Sequence, residues 1–207
     1  MKTHLVFDFG GVLFHWNPVT FMARVWPQRA HSPEAAKAVA DEFFTAYTGD
    51  WGLFDQGLIG AEEVADRIAA RTGWPREEVA QVVAQVPDEL QIKQDTVALI
   101  EDLRRAGHRL FFLSNMPELY ADLLEALHPL NEWFEAGIFS GREKLSKPTH
   151  EVFAAATARY GVAPQDCLLL DDMPANIEAA AAFGWQSLLF TDAGSARQQL
   201  QARGLKV

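Results

Sequence analysis

The segment His4-Leu5-Val6-Phe7-Asp8-Phe9-Gly10-Gly11-Val12 is the most informative part of this 207-residue chain for its fold. Its apolar run ends abruptly at the carboxylate of Asp8, and two glycines follow one residue later. Such a run is typical of a strand that is buried on both faces. The glycines allow a tight turn and a close approach of the backbone to a ligand. The stretch therefore predicts the first strand of a buried parallel sheet, with Asp8 at its carboxyl end.

Two further apolar runs end in polar side chains, namely Phe111-Phe112-Leu113-Ser114-Asn115 and Leu168-Leu169-Leu170-Asp171-Asp172. Ligands of open parallel sheets bind beyond the carboxyl ends of the strands, so we expect these polar ends to lie beside Asp8. A loop segment, Lys147-Pro148, adds an ammonium group. Carboxylates, a hydroxyl and an ammonium group together predict a metal-assisted site that handles phosphate.

The pattern elsewhere predicts an α/β protein. Strands are expected near residues 4–8, 109–114, 136–140, 167–171 and 186–190, with helices near 95–106, 117–127, 149–160, 174–183 and 194–203. Strands that alternate with helices of this length indicate a right-handed parallel sheet.

The alternation is interrupted between residues 16 and 90. This stretch contains Ala-rich amphipathic segments near 18–26, 33–47, 61–72 and 76–86, and no convincing strand. We therefore predict a core of residues 1–15 and 91–207 with a helical insertion of residues 16–90. An insertion that leaves the edge of the sheet is placed to act as a lid. We expect a turn over residues 54–57 to hang above the site, and Trp16 and Asn17 to lie near the first hinge.

Composition narrows the possible partners and the compartment. The net charge is −10 and no cluster of Lys or Arg occurs, which argues against nucleic acid. No apolar run approaches the roughly 20 residues of a membrane span, and Asp8 interrupts the first apolar stretch, so neither membrane insertion nor a signal peptide is expected. The single cysteine, Cys167, excludes an internal disulfide and fits a reducing compartment. We expect a soluble, cytoplasmic protein; the oligomeric state stays open.

Each candidate residue also has a structural interpretation. Asp8 can attack phosphorus or bind a metal, but it can also cap a turn. Ser114 and Asn115 can hold phosphate oxygens, or they can cap the helix expected near Pro117. Lys147 can neutralise a phosphate, with Lys144 as a possible substitute.

The paired carboxylates of Asp171 and Asp172 are the sharper signal. Two adjacent charges at the end of a buried strand are costly without a compensating cation. A helix N-cap accounts for one of the two carboxylates and leaves the other unexplained. An oxygen-rich group of this kind suits Mg²⁺.

Taken in order, these segments resemble the motifs of the haloacid dehalogenase-like (HAD) hydrolase superfamily. The matching segments are Asp8-Phe9-Gly10-Gly11-Val12, Ser114-Asn115, Lys147-Pro148 with Phe153, and Asp171-Asp172 with Asn176. The insertion is similar to the small α-helical cap of that superfamily. The resemblance implies a Rossmann-like, doubly wound parallel sheet of order 5-4-1-2-3, an aspartate nucleophile and Mg²⁺.

The resemblance also implies roles for individual residues. Asp8 would be the nucleophile and a metal ligand, and Gly10 would offer its backbone carbonyl to the metal. Asp172 would bind the metal directly, and Asp171 directly or through water. The transferring phosphoryl group would be bound by Ser114, Asn115 and Lys147. The expected function is Mg²⁺-dependent hydrolysis of a small phosphorylated metabolite through an aspartyl-phosphate on Asp8.

Gly10 departs from the pattern of the superfamily's phosphatases, which usually carry a second aspartate there as general acid and base. Loss of such a proton donor typically lowers the rate by about 10²–10⁴. The substrate would then have a good leaving group, such as a sugar 1-phosphate or an acyl phosphate. Alternatively, His15 or a residue of the insertion substitutes, or the protein is a weakly active or inactive binding module for a phosphate ligand or a protein.

A metal-independent 2-haloacid dehalogenase is the other enzymatic alternative. Such enzymes attack carbon with the same aspartate and resemble this chain in cap type. They usually have Tyr at the position of Gly10 and lack the paired carboxylates of Asp171 and Asp172. The sequence therefore favours metal-dependent phosphoryl transfer.

Overall fold

The computed structural model describes residues 3–207, and within them a five-stranded parallel sheet forms the centre of the molecule. The strands are β1 (His4–Phe7), β2 (Leu110–Ser114), β3 (Ala136–Phe139), β4 (Cys167–Asp171) and β5 (Gln186–Leu189). Their order is β3-β2-β1-β4-β5, which confirms the expected order read from the opposite edge.

The register of the three central strands places their carboxyl ends at the same height in the sheet. Phe7 pairs with Phe112 on one side and with Leu170 on the other. Asp8 and Asp171 each follow one of these paired residues, so both carboxylates leave the sheet at the same height. Every residue of β1, β2 and β4 is buried, as expected for strands covered on both faces.

A helical insertion follows β1. Its helices are α1 (Pro18–Val25), α2 (Pro33–Phe44), α3 (Gly49–Asp55), α4 (Ala61–Thr72) and α5 (Arg76–Glu89). Asn17 begins α1 by accepting hydrogen bonds from the backbone N–H groups of Val19 and Thr20, and Ser32 caps α2 in the same way.

The expectation of one helix over residues 33–47 is wrong beyond Phe44. Thr45, Ala46 and Tyr47 have φ angles of 47°, 50° and 61°, which end the right-handed helix. Helix α3 follows, and the sequence pattern missed it because Gly49 and Gly52 weaken its helical signal. Phe54 and Asp55 therefore form the last turn of a helix rather than a loop.

The remaining helices cover both faces of the sheet. They are α6 (Gln94–Arg105), α7 (Glu118–Leu127), α8 (Leu130–Trp133), α9 (Ser140–Glu143), α10 (His150–Tyr160), α11 (Pro174–Phe183) and α12 (Ala193–Ala202). Alternate strand residues point to opposite faces. Val6 and Leu169 pack in one apolar cluster with residues of α10 and α11, whereas Leu5 and Leu168 belong to the larger cluster that extends into the insertion. None of the helices between residues 3 and 207 is long and apolar enough to cross a bilayer.

Candidate active site

A buried lysine links the carboxylates at the ends of β1 and β4. Lys147 Nζ lies 2.8 Å from Asp8 Oδ1 and 2.6 Å from Asp171 Oδ2. All three side chains are almost completely buried. Removing one partner of such a group leaves a buried charge unpaired, so the three residues form a single electrostatic unit. The structure thus brings the predicted nucleophile and the predicted cation into direct contact.

Asn115 fixes the backbone of Lys147. Asn115 Oδ1 accepts from the N–H of Lys147, and Asn115 Nδ2 donates to the carbonyl oxygen of Lys147, each at 2.8 Å. The alternative that Ser114 or Asn115 caps the next helix is wrong. Helix α7 begins at Glu118 after Pro117, and no side chain caps it.

Ser114, the last residue of β2, has a buried hydroxyl without a partner among the described residues. An unpaired buried hydroxyl is costly, and native structures usually satisfy such a group with a ligand, an ion or water. The Ser114 hydroxyl therefore keeps an unused hydrogen-bonding capacity at the carboxyl end of β2, and the phosphoryl contact expected for it stays a prediction.

Asp171 is hydrogen-bonded through both of its oxygens. Oδ1 accepts from the N–H of Met173 and from Asn176 Nδ2, and Oδ2 accepts from Lys147 Nζ and Asn176 Nδ2. Because a carboxylate has about four acceptor positions, these contacts nearly saturate Asp171. Its geometry makes it the residue that holds Lys147 in place.

Asp172 lies against the turn that follows β1. A Cβ atom placed on Gly11 would come within 2.2 Å of Asp172 Oδ2, so the absent side chain makes room for the carboxylate. The ammonium group of Lys93 donates to the carbonyl oxygen of Gly11 at 2.9 Å, and its charge weakly opposes the rise in the pKa of Asp172 that burial causes. Sequence inspection missed Lys93, because an isolated lysine before α6 carries no local signal.

The three carboxylates form an oxygen-rich group that fits a divalent cation. Asp8, Asp171 and Asp172 each offer an oxygen, and these atoms lie within 4.8 Å of one another. Burial, with repulsion from Asp171 and Asp172, raises the pKa of Asp8 to about 8, although Lys147 opposes the shift. Burial and Asp171 raise the pKa of Asp172 to about 6. The three carboxylates therefore outnumber the single positive charge of Lys147, and their oxygens match the hard ligands that Mg²⁺ takes.

A cavity of about 680 Å³ opens above these residues, between the sheet and the insertion. Its polar floor includes Asp8, Lys147 and Asp172. Its walls are largely apolar and aromatic, with lining residues Trp16, Val19, Tyr47, Trp51, Val86, Leu90, Met116, Pro117, Tyr120 and Met173. A polar floor under an apolar chamber fits an anionic group attached to an organic group.

Asp55 is the one acidic residue of the insertion that lines this cavity within the described chain. It ends α3, and the Ser140 hydroxyl donates to its backbone carbonyl, which ties the insertion to the core. Burial raises the pKa of its carboxyl to about 8.

Two other expected contributors lie elsewhere. Lys144 Nζ donates to the carbonyl oxygens of Gly57 and Gly141 at 2.7 and 2.8 Å, so it joins the insertion to the core. His15 is exposed and does not line the cavity.

Comparison with known proteins assigns the family. The family model for haloacid dehalogenase-like hydrolases matches residues 2–184. The chain belongs to this family. It is therefore a hydrolase. All four segments at the edge of its sheet contribute residues to the cavity described above.

Curated relatives of this HAD-like hydrolase include two named for hydrolysis of phosphates. The chain is 24% identical to the sesquiterpene phosphatase astK of Aspergillus oryzae, over 90% of this chain and 89% of that protein. It is 26% identical to flavin mononucleotide hydrolase 1 of Arabidopsis thaliana, over 76% of this chain and 63% of that one.

Solved structures share the fold of this hydrolase. A HAD-like family hydrolase from Porphyromonas gingivalis matches with a TM-score of 0.73 and 26% identity, covering 100% of this chain and 99% of that one. A magnesium complex of a HAD family enzyme from Bacteroides thetaiotaomicron gives a TM-score of 0.71 at 21% identity, covering 97% and 98%. L-2-haloacid dehalogenase from Xanthobacter autotrophicus gives 0.66 at 21% identity, covering 90% and 76%.

Proposed function

We propose that this hydrolase is a Mg²⁺-dependent phosphatase of small phosphorylated metabolites and that Asp8 is its nucleophile. The observation that carries the proposal is the contact of Asp8 with Lys147 inside a group of three carboxylates. A nucleophile that attacks phosphorus needs neighbouring positive charge, because the transferred group and the carboxylate repel each other. Lys147 supplies one such charge, and the carboxylates provide a site for a second.

In the proposed reaction, Asp8 attacks the phosphorus and the bond to the leaving oxygen breaks, which gives an aspartyl-phosphate. Lys147, held by Asp171 and by the Asn115 amide, reduces the repulsion between Asp8 and the phosphoryl oxygens. The Ser114 hydroxyl donates to one of those oxygens. Water then attacks the phosphorus of the aspartyl-phosphate, which releases inorganic phosphate and restores Asp8.

Mg²⁺ would be held by Asp8, Asp172 and the carbonyl oxygen of Gly10, with Asp171 bound directly or through water. When bound, Mg²⁺ supplies positive charge that stabilises the oxygens of the transferring group. The relative crystallised with magnesium supports this choice of cation.

The insertion, residues 16–90, would act as a cap that selects the organic part of the substrate. Several polar wall groups already have partners inside the protein. Trp16 Nε1 donates to Tyr47 Oη, Tyr120 Oη donates to the carbonyl oxygen of Val83, and Thr48 Oγ1 donates to that of Thr45. Such walls offer few partners to the hydroxyls of a sugar 1-phosphate and suit an apolar or aromatic group better.

The dehalogenase alternative draws support from the shared fold alone. A reaction that displaces a halide from carbon does not need the carboxylates of Asp171 and Asp172 beside Asp8. These two carboxylates would repel the carboxylate of a 2-haloacid substrate. The binding-module alternative rests on Gly10, and the intact contact between Asp8 and Lys147 weighs against it.

Phosphate release from a panel of monoesters tests the proposal. The panel includes p-nitrophenyl phosphate, alkyl phosphates, a sugar 1-phosphate and an acyl phosphate, each with Mg²⁺ and with excess EDTA. We expect release that requires Mg²⁺ and falls at least about 10³-fold in Asp8→Asn. Full activity of Asp8→Asn would refute the mechanism. Chloride release from a 2-haloacid without metal would favour the dehalogenase, and binding without turnover would favour the module.

A further inference from the structure

Trp16, at the start of the insertion, lies beside Gly10. A Cβ atom placed on Gly10 would lie 3.6 Å from both Cβ and Cδ1 of Trp16. The indole therefore stands next to the position where related phosphatases carry their acid. Trp16 also packs edge to face against Phe44, with ring centroids 5.4 Å apart at 83°, which fixes its orientation.

Trp16 in turn orients Tyr47. Trp16 Nε1 donates to Tyr47 Oη at 2.8 Å, so the phenolic oxygen is already an acceptor. The phenolic proton has no acceptor among residues 3–207, and the side chain lines the cavity above Asp8. A hydroxyl both accepts and donates, so Tyr47 has one donor position left for a ligand.

The backbone holds Tyr47 in an unusual conformation. Tyr47 has a φ of 61° and is the last of three consecutive non-glycine residues with positive φ. Such residues are uncommon, and their strain persists only where surrounding structure holds them. Here the ring of Tyr47 stacks on Phe44 at 6.0 Å and 30°, and its hydroxyl is bound to Trp16.

Burial and the carboxylates around it keep the Tyr47 phenol protonated. Burial, together with the charges of Asp55, Asp172 and Asp8, raises the pKa of Tyr47 to about 12, although the Trp16 hydrogen bond opposes the shift. The phenol thus keeps its proton near neutral pH. Its proton can still pass to an alkoxide, which is a much stronger base.

We propose that Tyr47 donates its phenolic proton to the leaving-group oxygen of the substrate and so replaces the acid that is absent at Gly10. Trp16 is the positioning residue. This inference rests on the proposed phosphatase function and adds the proton donor.

The proposed reaction has two steps, and Tyr47 recovers in the second step the proton that it gives up in the first. As the bond between Asp8 and phosphorus forms, the bond from phosphorus to the leaving oxygen breaks, and its electron pair stays on that oxygen. The Tyr47 proton moves to the same oxygen, which gives an alcohol and a tyrosinate. Water then attacks the aspartyl-phosphate and gives one proton to the tyrosinate, restoring Tyr47 and Asp8 and releasing phosphate.

Tyr120, on α7, offers a matched control in the same cavity. It lines the same cavity, but its hydroxyl proton is donated to the carbonyl oxygen of Val83 at 2.7 Å. Tyr120→Phe therefore removes a buried tyrosine hydroxyl without removing a free donor. Asp55 is the competing acid, because its carboxyl also lines the cavity.

The test compares kcat/KM for an alkyl phosphate, a poor leaving group, with kcat/KM for p-nitrophenyl phosphate, a good one. We expect Tyr47→Phe to lower the value by about 100-fold for the alkyl phosphate and by less than about 3-fold for the nitrophenyl ester. Trp16→Phe removes the N–H that orients Tyr47, and it should lower the value for the alkyl phosphate more than that for the nitrophenyl ester, as Tyr47→Phe does but by a smaller factor. Tyr120→Phe should change both substrates equally.

Three results would overturn the inference and leave the phosphatase function standing. Equal losses for both substrates in Tyr47→Phe would make its role structural. Unchanged kinetics in a variant whose circular dichroism matches the wild type would remove any role. A selective loss in Asp55→Asn without one in Tyr47→Phe would assign the proton to Asp55. Wild-type protein that releases no phosphate from any ester of the panel with Mg²⁺ would instead refute the phosphatase function, and this inference with it.

Discussion

Asn115 clasps the backbone of Lys147 through both ends of its side-chain amide. One hydrogen bond comes from the Lys147 N–H to Asn115 Oδ1, and the other goes from Asn115 Nδ2 to the Lys147 carbonyl oxygen. The two residues are separated by more than thirty positions in the sequence. The clasp fixes where the lysine leaves the loop, and so where its ammonium group meets Asp8.

We predict that Asn115→Ala lowers kcat for p-nitrophenyl phosphate by about 10- to 100-fold, because Lys147 loses its fixed position. The free energy of unfolding should fall by about 1–3 kcal/mol, since two buried backbone groups lose their partners. The measurements are steady-state kinetics at saturating Mg²⁺ and urea unfolding. Asn131→Ala, at an exposed asparagine of α8, is the control and should change neither. A folded Asn115→Ala with wild-type kcat would contradict this role.

Gly11 and Gly73 provide a matched pair, because their φ angles are nearly equal at 72° and 71°. A Cβ atom at Gly11 would overlap the carboxylate of Asp172, whereas one at Gly73 would meet no atom within 4 Å. Both alanine variants should lose about 1 kcal/mol of stability from the left-handed backbone. Only Gly11→Ala should also raise the Mg²⁺ concentration needed for half-maximal activity, since Asp172 must move. Equal Mg²⁺ requirements would argue against Asp172 as a ligand.

The pKa values of the site carboxylates predict a pH-dependent requirement for Mg²⁺. Without metal, burial holds the pKa of Asp8 near 8 and that of Asp172 near 6, so protons occupy the site at low pH. Metal binding must displace these protons. The Mg²⁺ concentration for half-maximal activity should therefore rise as the pH falls from 8 to 6, by up to about tenfold per pH unit for each proton displaced. A requirement that stays constant over this range would show that the carboxylates bind Mg²⁺ without losing protons.

The raised pKa of Asp55 predicts that the folded protein becomes less stable as the pH rises. Burial raises the pKa of its carboxyl from 3.8 to about 8, so between these values the folded state binds a proton that the unfolded state has released. The free energy of unfolding then falls as the pH rises through this window. Asp55→Asn removes the titration, and its stability relative to wild type should increase between pH 5 and pH 8 by about 3–4 kcal/mol. Urea unfolding in EDTA at both pH values measures the difference. A difference that does not change with pH would mean that Asp55 is ionised in the folded protein.

The amino-acid pattern was sufficient to predict the parallel sheet and to place the polar residues that end its strands at one edge. Apolar runs that stop at Asp8, Ser114 and Asp171 form buried parallel strands, because each run is long enough for a strand and too short for a helix. Parallel pairing then brings the carboxyl ends of the strands to one edge, whatever the connections between them. Local pattern and a general rule of topology were sufficient for this part of the site.

Contacts that cross between distant segments could not be predicted from the sequence pattern. The clasp of Asn115 on Lys147, the position of Lys93 near Asp172, and the chain of contacts from Gly10 through Trp16 to Tyr47 each join residues that have no periodic relationship in the sequence. The left-handed residues before α3 likewise contain no glycine to signal them. Such features depend on packing between elements, and local propensity carries no information about which element will lie opposite.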